Sequence, residues 1–229
     1  MAGLKFSRPL IGAGILIMIL AATVVWMASR PPVERIVTIS KPPEKIEYIV
    51  GVPIAVSGPY EVEGPFRRDG ALLAIEQMNA LLATAGSPVT FRAIHEDSKG
   101  TPEGALAAIE ALSAAGAKIV VGPLSSAEVQ GIRSFCDSHR IVCISPSSTA
   151  PQLALPGDYI FRVAQTDLAQ AKALAQLVAE TGYAKVAAIA RDDDYGRGIS
   201  DAFSKSFTET GAQSKRFYSP RAYRAMRPM

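Results

Sequence analysis

The chain has 229 residues, 48% of them hydrophobic, with 24 Lys and Arg against 21 Asp and Glu. That length allows one or two domains at roughly 100 to 200 residues each, and the apolar fraction supplies an ample core. A net charge of +3 is too even for a nucleic-acid binder, and Lys5, Arg8, Arg221, Arg224 and Arg227 place much of the excess at the two ends.

Pro9 to Ser29 carries no charge and is about the length of a bilayer-spanning helix, for which roughly 20 residues suffice. Residues 1–29 therefore read as a transmembrane signal anchor. Trp26 beside Ala28 is an awkward cleavage site, so retention in the cell membrane is preferred over removal, which would leave a secreted or periplasmic protein. Lys5 and Arg8 hold the short N-terminus inside and put the remainder outside the cytoplasm. Residues 30–47, with two Pro-Pro pairs and mixed charge, form an extended spacer.

From residue 48 apolar strand-like runs alternate with helical periodicity. Tyr48 to Val56 is a strand; the loop from Ser57 to Gly64 leads to a helix with Ala71, Ile75, Met78 and Leu82 on one face, while Arg67, Arg68 and Asp69 are expected to face water. Val89 to His95 is the second strand. Glu96 and Asp97 after it read as a charged loop rather than an acid-base pair. Thr101 is a helix N-cap with Pro102 at the first helical position, Leu106, Ile109 and Leu112 form the buried stripe, and Gly116 ends the helix.

Ile119 begins a strand that stops at Gly122-Pro123, followed by a helix with Val129, Ile132 and Cys136 inward and a further strand from Ile141 to Ile144. Each of these strands ends in hydroxyls, Ser125 and Ser126 after the first and Ser147, Ser148 and Thr149 after the second. In a parallel α/β sheet both clusters lie on the carboxyl edge, where such folds bind ligands. Backbone N–H groups at the helix start after Ser126 suit a carboxylate or another small anion. The plainer reading of any one hydroxyl is a cap or a turn, but two clusters on successive strands favour a common site. Cys136 and Cys143 both read as core, with a disulfide between them open outside the cytoplasm, and with His95 and His139 they make no metal-ligand spacing.

Tyr159 to Val163 is a short strand, and Ala164 to Asp167 opens a helix with Ala171, Leu174, Leu177 and Val178 inward. Lys185 to Ala190 is another strand, Arg191 to Gly198 a loop whose Asp run reads as a solvated helix start, and Ile199, Phe203 and Phe207 the inner face of a last helix. From Ser214 the chain reads as a polar, basic, aperiodic tail, so a second α/β unit begins and is not finished.

Ser57-Gly58-Pro59, EDSKGTPEGALAAIEAL from Glu96, VGPLSS from Val121, ISPSSTAPQL from Ile144, FRVAQTD from Phe161 and DDDYGRG from Asp192 follow one another in an order that resembles the type I periplasmic binding proteins, specifically the leucine/isoleucine/valine-binding group of ABC-transporter receptors. The resemblance runs from about Tyr48 to Gln213. It implies a Rossmann-like parallel-sheet lobe of a two-lobe clamshell over 48–164, an incomplete second lobe over 165–213 and an aberrant or truncated tail over 214–229. By the same resemblance Ser126, Ser147 (largely through its backbone) and Thr149 hold the α-carboxylate and ammonium of an amino acid, and Tyr195 covers it. Glu63 stands where branched-chain receptors place an aromatic, so a different ligand is expected. The implied function is membrane-anchored, extracytoplasmic binding of an amino acid or related small solute for delivery to ABC permease subunits, with no reaction and no cofactor. A sensing receptor ectodomain is the alternative. An enzyme is disfavoured because Ser125 and Ser126 lie in no Gly-x-Ser-x-Gly elbow. An unfinished second lobe is further expected to bind weakly and to leave Leu174, Leu177, Phe203 and Phe207 uncovered.

Overall fold

A computed structural model describes residues 44–219. The anchor at 1–29, most of the spacer and the tail from 220 fall outside the described residues. Among those described, no helix is long and apolar enough to cross a membrane.

The first sheet contains β1 (Ile46–Pro53), β2 (Val89–Glu96), β3 (Ile119–Val121), β4 (Val142–Ser145) and β5 (Ile160–Arg162), in the order β2-β1-β3-β4-β5. Every pairing is parallel. The connections are the helices α1 (Gly64–Thr84), α2 (Pro102–Ala114) and α3 (Ser126–His139), with a single 3-10 turn at Pro151–Leu153 between β4 and β5. Since right-handed crossovers place helices by the direction in which the chain moves along the sheet, α1 covers one face and α2 with α3 the other. Two core clusters reflect this. Ile109 and Leu112 of α2 and Val129, Ile132 and Cys136 of α3 pack with Val120, Ile141 and Cys143, while Leu72 and Ile75 of α1 pack on Val52, Ile54 and Leu124.

Local signals account for the element ends. The Thr101 hydroxyl accepts from Gly104 N–H at 3.0 Å and so caps α2 as read from the sequence. The chain leaves that helix through Gly116 at φ +96°. Helix α1 is less buried than its spacing implies, with Met78 exposed. Its docking to the edge strand is instead polar: Asn79 donates to Phe91 O at 2.7 Å and accepts from Phe91 N at 2.8 Å, so its amide substitutes for a neighbouring strand.

The second unit consists of α4 (Asp167–Glu180), β6 (Lys185–Arg191), α5 (Asp194–Thr208) and β7 (Gln213–Ser219), with β6 and β7 paired in parallel. Two expectations are corrected here. Ser214 to Ser219 is strand, not aperiodic tail, because a parallel edge strand is held by its ladder to Val186 through Arg191 and needs no apolar alternation. Phe203 and Phe207 are buried, their rings stacked at 5.5 Å between centroids against Ala171 and Ala175, whose small side chains let α4 and α5 approach closely. Leu174 and Leu177 remain exposed, as expected.

Gly64 opens α1 where a Cβ would overlap the Ala55 carbonyl oxygen, and Gly196 stands in the same relation to the Arg191 carbonyl at the start of α5. Gly70, inside α1, has nothing within 4 Å of a built Cβ. Gly64→Ala and Gly196→Ala should each destabilise by about 1 to 3 kcal/mol, whereas Gly70→Ala should stabilise by about 0.5 to 1 kcal/mol through helix propensity. Thermal melts of the three variants check this; equal shifts would show that the two close approaches are not constraints.

Candidate functional site

In the order β2-β1-β3-β4-β5 the chain leaves β1 in one direction and β3 in the other, so a crevice opens beyond their carboxyl ends. A cavity of about 600 Å³ lies there. The loop after β1 contributes Tyr60 and Glu63, and the first turn of α1 contributes Arg67. The loops after β3 and β4 contribute Ser125, Ser126, Ser147 and Thr149, the start of α4 Asp167 and Gln170, and the second unit Arg191 and Tyr195. Glu63, Ser126, Ser147, Thr149 and Tyr195, the five residues singled out from the sequence, thus line one cavity.

Helix α3 starts one residue earlier than its spacing implies, with Ser125 as N-cap. The Ser125 hydroxyl accepts from Glu128 N–H at 3.2 Å and donates to Glu128 Oε2 at 2.6 Å, while Ser125 N–H donates to the same oxygen at 2.9 Å. The other oxygen of Glu128 accepts from the Ser98 hydroxyl at 2.6 Å, and the carboxylate is completely buried. The Ser-x-x-Glu spacing is a capping box and was the available signal for this pair. Its fixed first turn directs backbone N–H groups and the positive end of the helix dipole at the crevice.

Hydrogen-bond roles separate the hydroxyls. Ser126 Oγ accepts from Ala150 N–H at 3.2 Å, which leaves its own proton to donate. Ser147 donates to Leu124 O at 2.8 Å, so its proton is committed to the fold and the backbone is what it offers the cavity. Thr149 donates to Asp167 Oδ2 at 2.8 Å, and Asp167 N–H donates back to Thr149 O at 3.0 Å. Burial raises the Asp167 carboxyl above the ordinary range, opposed by the Thr149 bond and by the charge of Arg162. Tyr195 is raised too, first by burial and then by the Asp167 charge, and Arg191 lies over its ring at 5.7 Å.

Sequence reasoning passed over Asp167, Arg191 and Arg67 as wall residues. Arg67 does not simply face water: it lines the cavity with its side chain 43% exposed and is 3.6 Å from Glu63, a pairing visible in the i, i+4 spacing. Asp97 is a loop clamp, accepting from Val56 N–H at 3.0 Å and Lys99 N–H at 2.9 Å. Burial would raise its carboxyl, but these bonds, with those from Ser57, outweigh burial and hold it below the ordinary range. Cys136 and Cys143 are buried and form no disulfide, and neither lines the cavity; the Cys136 thiol and burial push the Cys143 thiol well up. Among the described residues no group of three His, Cys, Asp or Glu could hold a metal ion.

The family model described as periplasmic binding protein matches residues 47–223. An uncharacterised protein of Methanocaldococcus jannaschii is 32% identical over 168 residues, 71% of this chain and 40% of that one. The leucine-, isoleucine-, valine-, threonine- and alanine-binding protein of Pseudomonas aeruginosa is 30% identical over 158 residues, 68% of this chain and 42% of its own length. The chain therefore spans less than half the length of these relatives. Among solved structures, a leucine-binding protein of Thermotoga maritima shares the fold at a TM-score of 0.67 and 22% identity, over 76% of this chain and 49% of that one.

The Asp97 clamp generates a pH prediction. A carboxyl whose folded pKa lies below its unfolded value adds stability above the unfolded value, and that contribution disappears as pH falls through the folded one. Asp97→Asn keeps an accepting oxygen but removes the charge. The variant should be less stable by about 1 kcal/mol at neutral pH, and the gap should close below the ordinary carboxylate range. Denaturant unfolding at several pH values reads this out; a gap constant with pH would assign the clamp to shape alone.

Proposed function

This chain belongs to the periplasmic binding protein family, and on that premise we propose that it is an extracytoplasmic receptor that binds an amino acid or similar small zwitterion and passes it to an ABC permease. The observation that carries this reading is the cavity on the carboxyl edge, with an anion-directed helix start at one place in its wall and a buried carboxylate at another. Its volume lies within the roughly 300 to 1,000 Å³ usual for small-molecule sites.

The ligand carboxylate accepts hydrogen bonds from the Ser126 hydroxyl, from backbone N–H groups of the first turn of α3 and from the backbone at Ser147. The ammonium goes to the other side. There Thr149 Oγ1, whose proton is engaged in its hydrogen bond to Asp167, presents lone pairs, and the Asp167 carboxylate supplies negative charge at the cavity wall. Tyr195 covers the ligand from the second unit and offers its hydroxyl as a donor. Binding is non-covalent and calls on no cofactor. The uncharged run from Pro9 to Ser29 anchors the receptor at the cell membrane with residues 48 onward outside.

Losing a hydrogen bond to a charged ligand group costs about 1.5 to 3 kcal/mol. Ser126→Ala and Thr149→Ala should therefore each weaken binding by roughly 10- to 150-fold in calorimetric titrations with amino acids. Unchanged affinity in both variants would reduce these hydroxyls to structural caps.

The anchor is tested separately. The protein should fractionate with membranes and keep its N-terminus, and mass spectrometry that finds a mature chain starting near Ser29 would refute retention.

A further inference from the structure

Sheet order lays the wall out in sequence. The loops after β1, β3, β4 and β5 stand side by side, with about 4.8 Å between neighbouring strands. If the carboxylate lies at the start of α3 and the ammonium toward Asp167, the β1 side remains for the ligand's side chain. This step rests on the amino-acid receptor reading. The β1 side carries Glu63 and Arg67, an anion and a cation with Glu63 Oε2 and Arg67 Nη2 3.6 Å apart. That separation is an ion contact but is too long for a hydrogen bond, so the guanidinium donors and carboxylate acceptors stay open to a third group. Glu63 does not spend its carboxylate on the helix it precedes, since it makes no side-chain cap bond in α1. Arg191, in the part of the wall that the second unit contributes, is ion-paired with Asp193 and lies over the Tyr195 ring.

From this we infer that Glu63 and Arg67 form a side-chain subsite for an amino acid ending in a neutral carboxamide or ureido group, of the glutamine or citrulline kind. The carbonyl oxygen of such a group accepts from Arg67 while its NH2 donates to Glu63, and the pair's net neutrality is preserved. A cationic or anionic side chain would have to separate the pair and leave one charge without its partner. An aliphatic side chain would take both ions out of water and return no hydrogen bond. A planar group with a donor and an acceptor on one end meets both requirements.

The test is calorimetric titration of the full chain with L-glutamine, L-citrulline, L-leucine, L-glutamate and L-lysine. Glutamine or citrulline should bind at least about ten-fold tighter than the other three, and Glu63→Leu combined with Arg67→Leu should abolish that preference in favour of leucine. Leucine, glutamate or lysine binding most tightly to the unaltered chain would overturn the subsite and leave the amino-acid receptor reading standing. Binding of none of the five would overturn the subsite, and if the remaining common amino acids also fail, the receptor reading falls with it. The order of affinities in the unaltered chain decides the matter even if the double variant is unstable.

Discussion

A carboxylate with no exposed surface, Glu128, joins the loop after β2 to the cavity-lining loop after β3. Taking an ion out of water costs several kcal/mol unless its lone pairs are filled, and here they are filled by the Ser98 hydroxyl, the Ser125 hydroxyl and the Ser125 N–H. Ser98 belongs to the loop that starts α2, and Ser125 caps α3. The arrangement therefore fixes two helix starts against each other. Farther along, Gly131 of α3 lies against Pro102 of α2, where a built Cβ would come within 2.9 Å of the proline ring. With both contacts in place the first turn of α3 has one available direction, which is toward the crevice.

The same wall shows how local chemistry becomes a binding surface without any residue unique to binding. Ser147 holds Leu124, Ser126 holds Ala150, and Thr149 holds Asp167. Each hydroxyl ties one carboxyl-edge loop to another and in doing so settles what it has left to offer, a donor at Ser126 and an acceptor at Thr149. Asp97 does the equivalent for the β1 loop, so Tyr60 and Glu63 project from a clamped segment. Preorganised groups of this kind lose little freedom when a ligand arrives.

Much of this could be read from the chain, and the failures have physical causes. Helices and strands of the first lobe follow from periodicity; of the cavity residues, Ser126, Ser147 and Thr149 follow from two hydroxyl clusters placed at strand ends, and Glu63 and Tyr195 from the family resemblance alone. Glu128 could be read as half of a capping box, but its burial could not, because it depends on Ser98, 30 residues earlier. Arg67 looked solvated because a single arginine beside Arg68 and Asp69 has no periodic signal; its place in the wall comes from Gly64 drawing the helix start against Ala55. Strand β7 carries Lys215 and Arg216 on an open edge, where charge is the usual protection against further pairing and masks the strand. Phe203 and Phe207 were counted as uncovered because two helices were expected to need more strands than they do. Alanines at 171 and 175 let α4 bury both rings directly.

How the second unit meets the cavity follows from short links. Gln152, in the turn after β4, donates to Asp194 O at 2.8 Å, and Gly198 lies against Pro151 and Gln152 closely enough that a Cβ there would come within 2.7 Å of the Gln152 oxygen. Asp193 caps α5 by accepting from Gly196 N–H at 2.8 Å and also pairs with Arg191. Tyr195 lies between these fixed points, under Arg191 and beside the cavity. Its placement is thus set from two sides, by the turn of the first lobe and by its own helix cap. Neither side alone would hold an aromatic ring in the wall that also carries Ser126 and Thr149, and the glycines at 196 and 198 are what let backbone come close enough for both to act together.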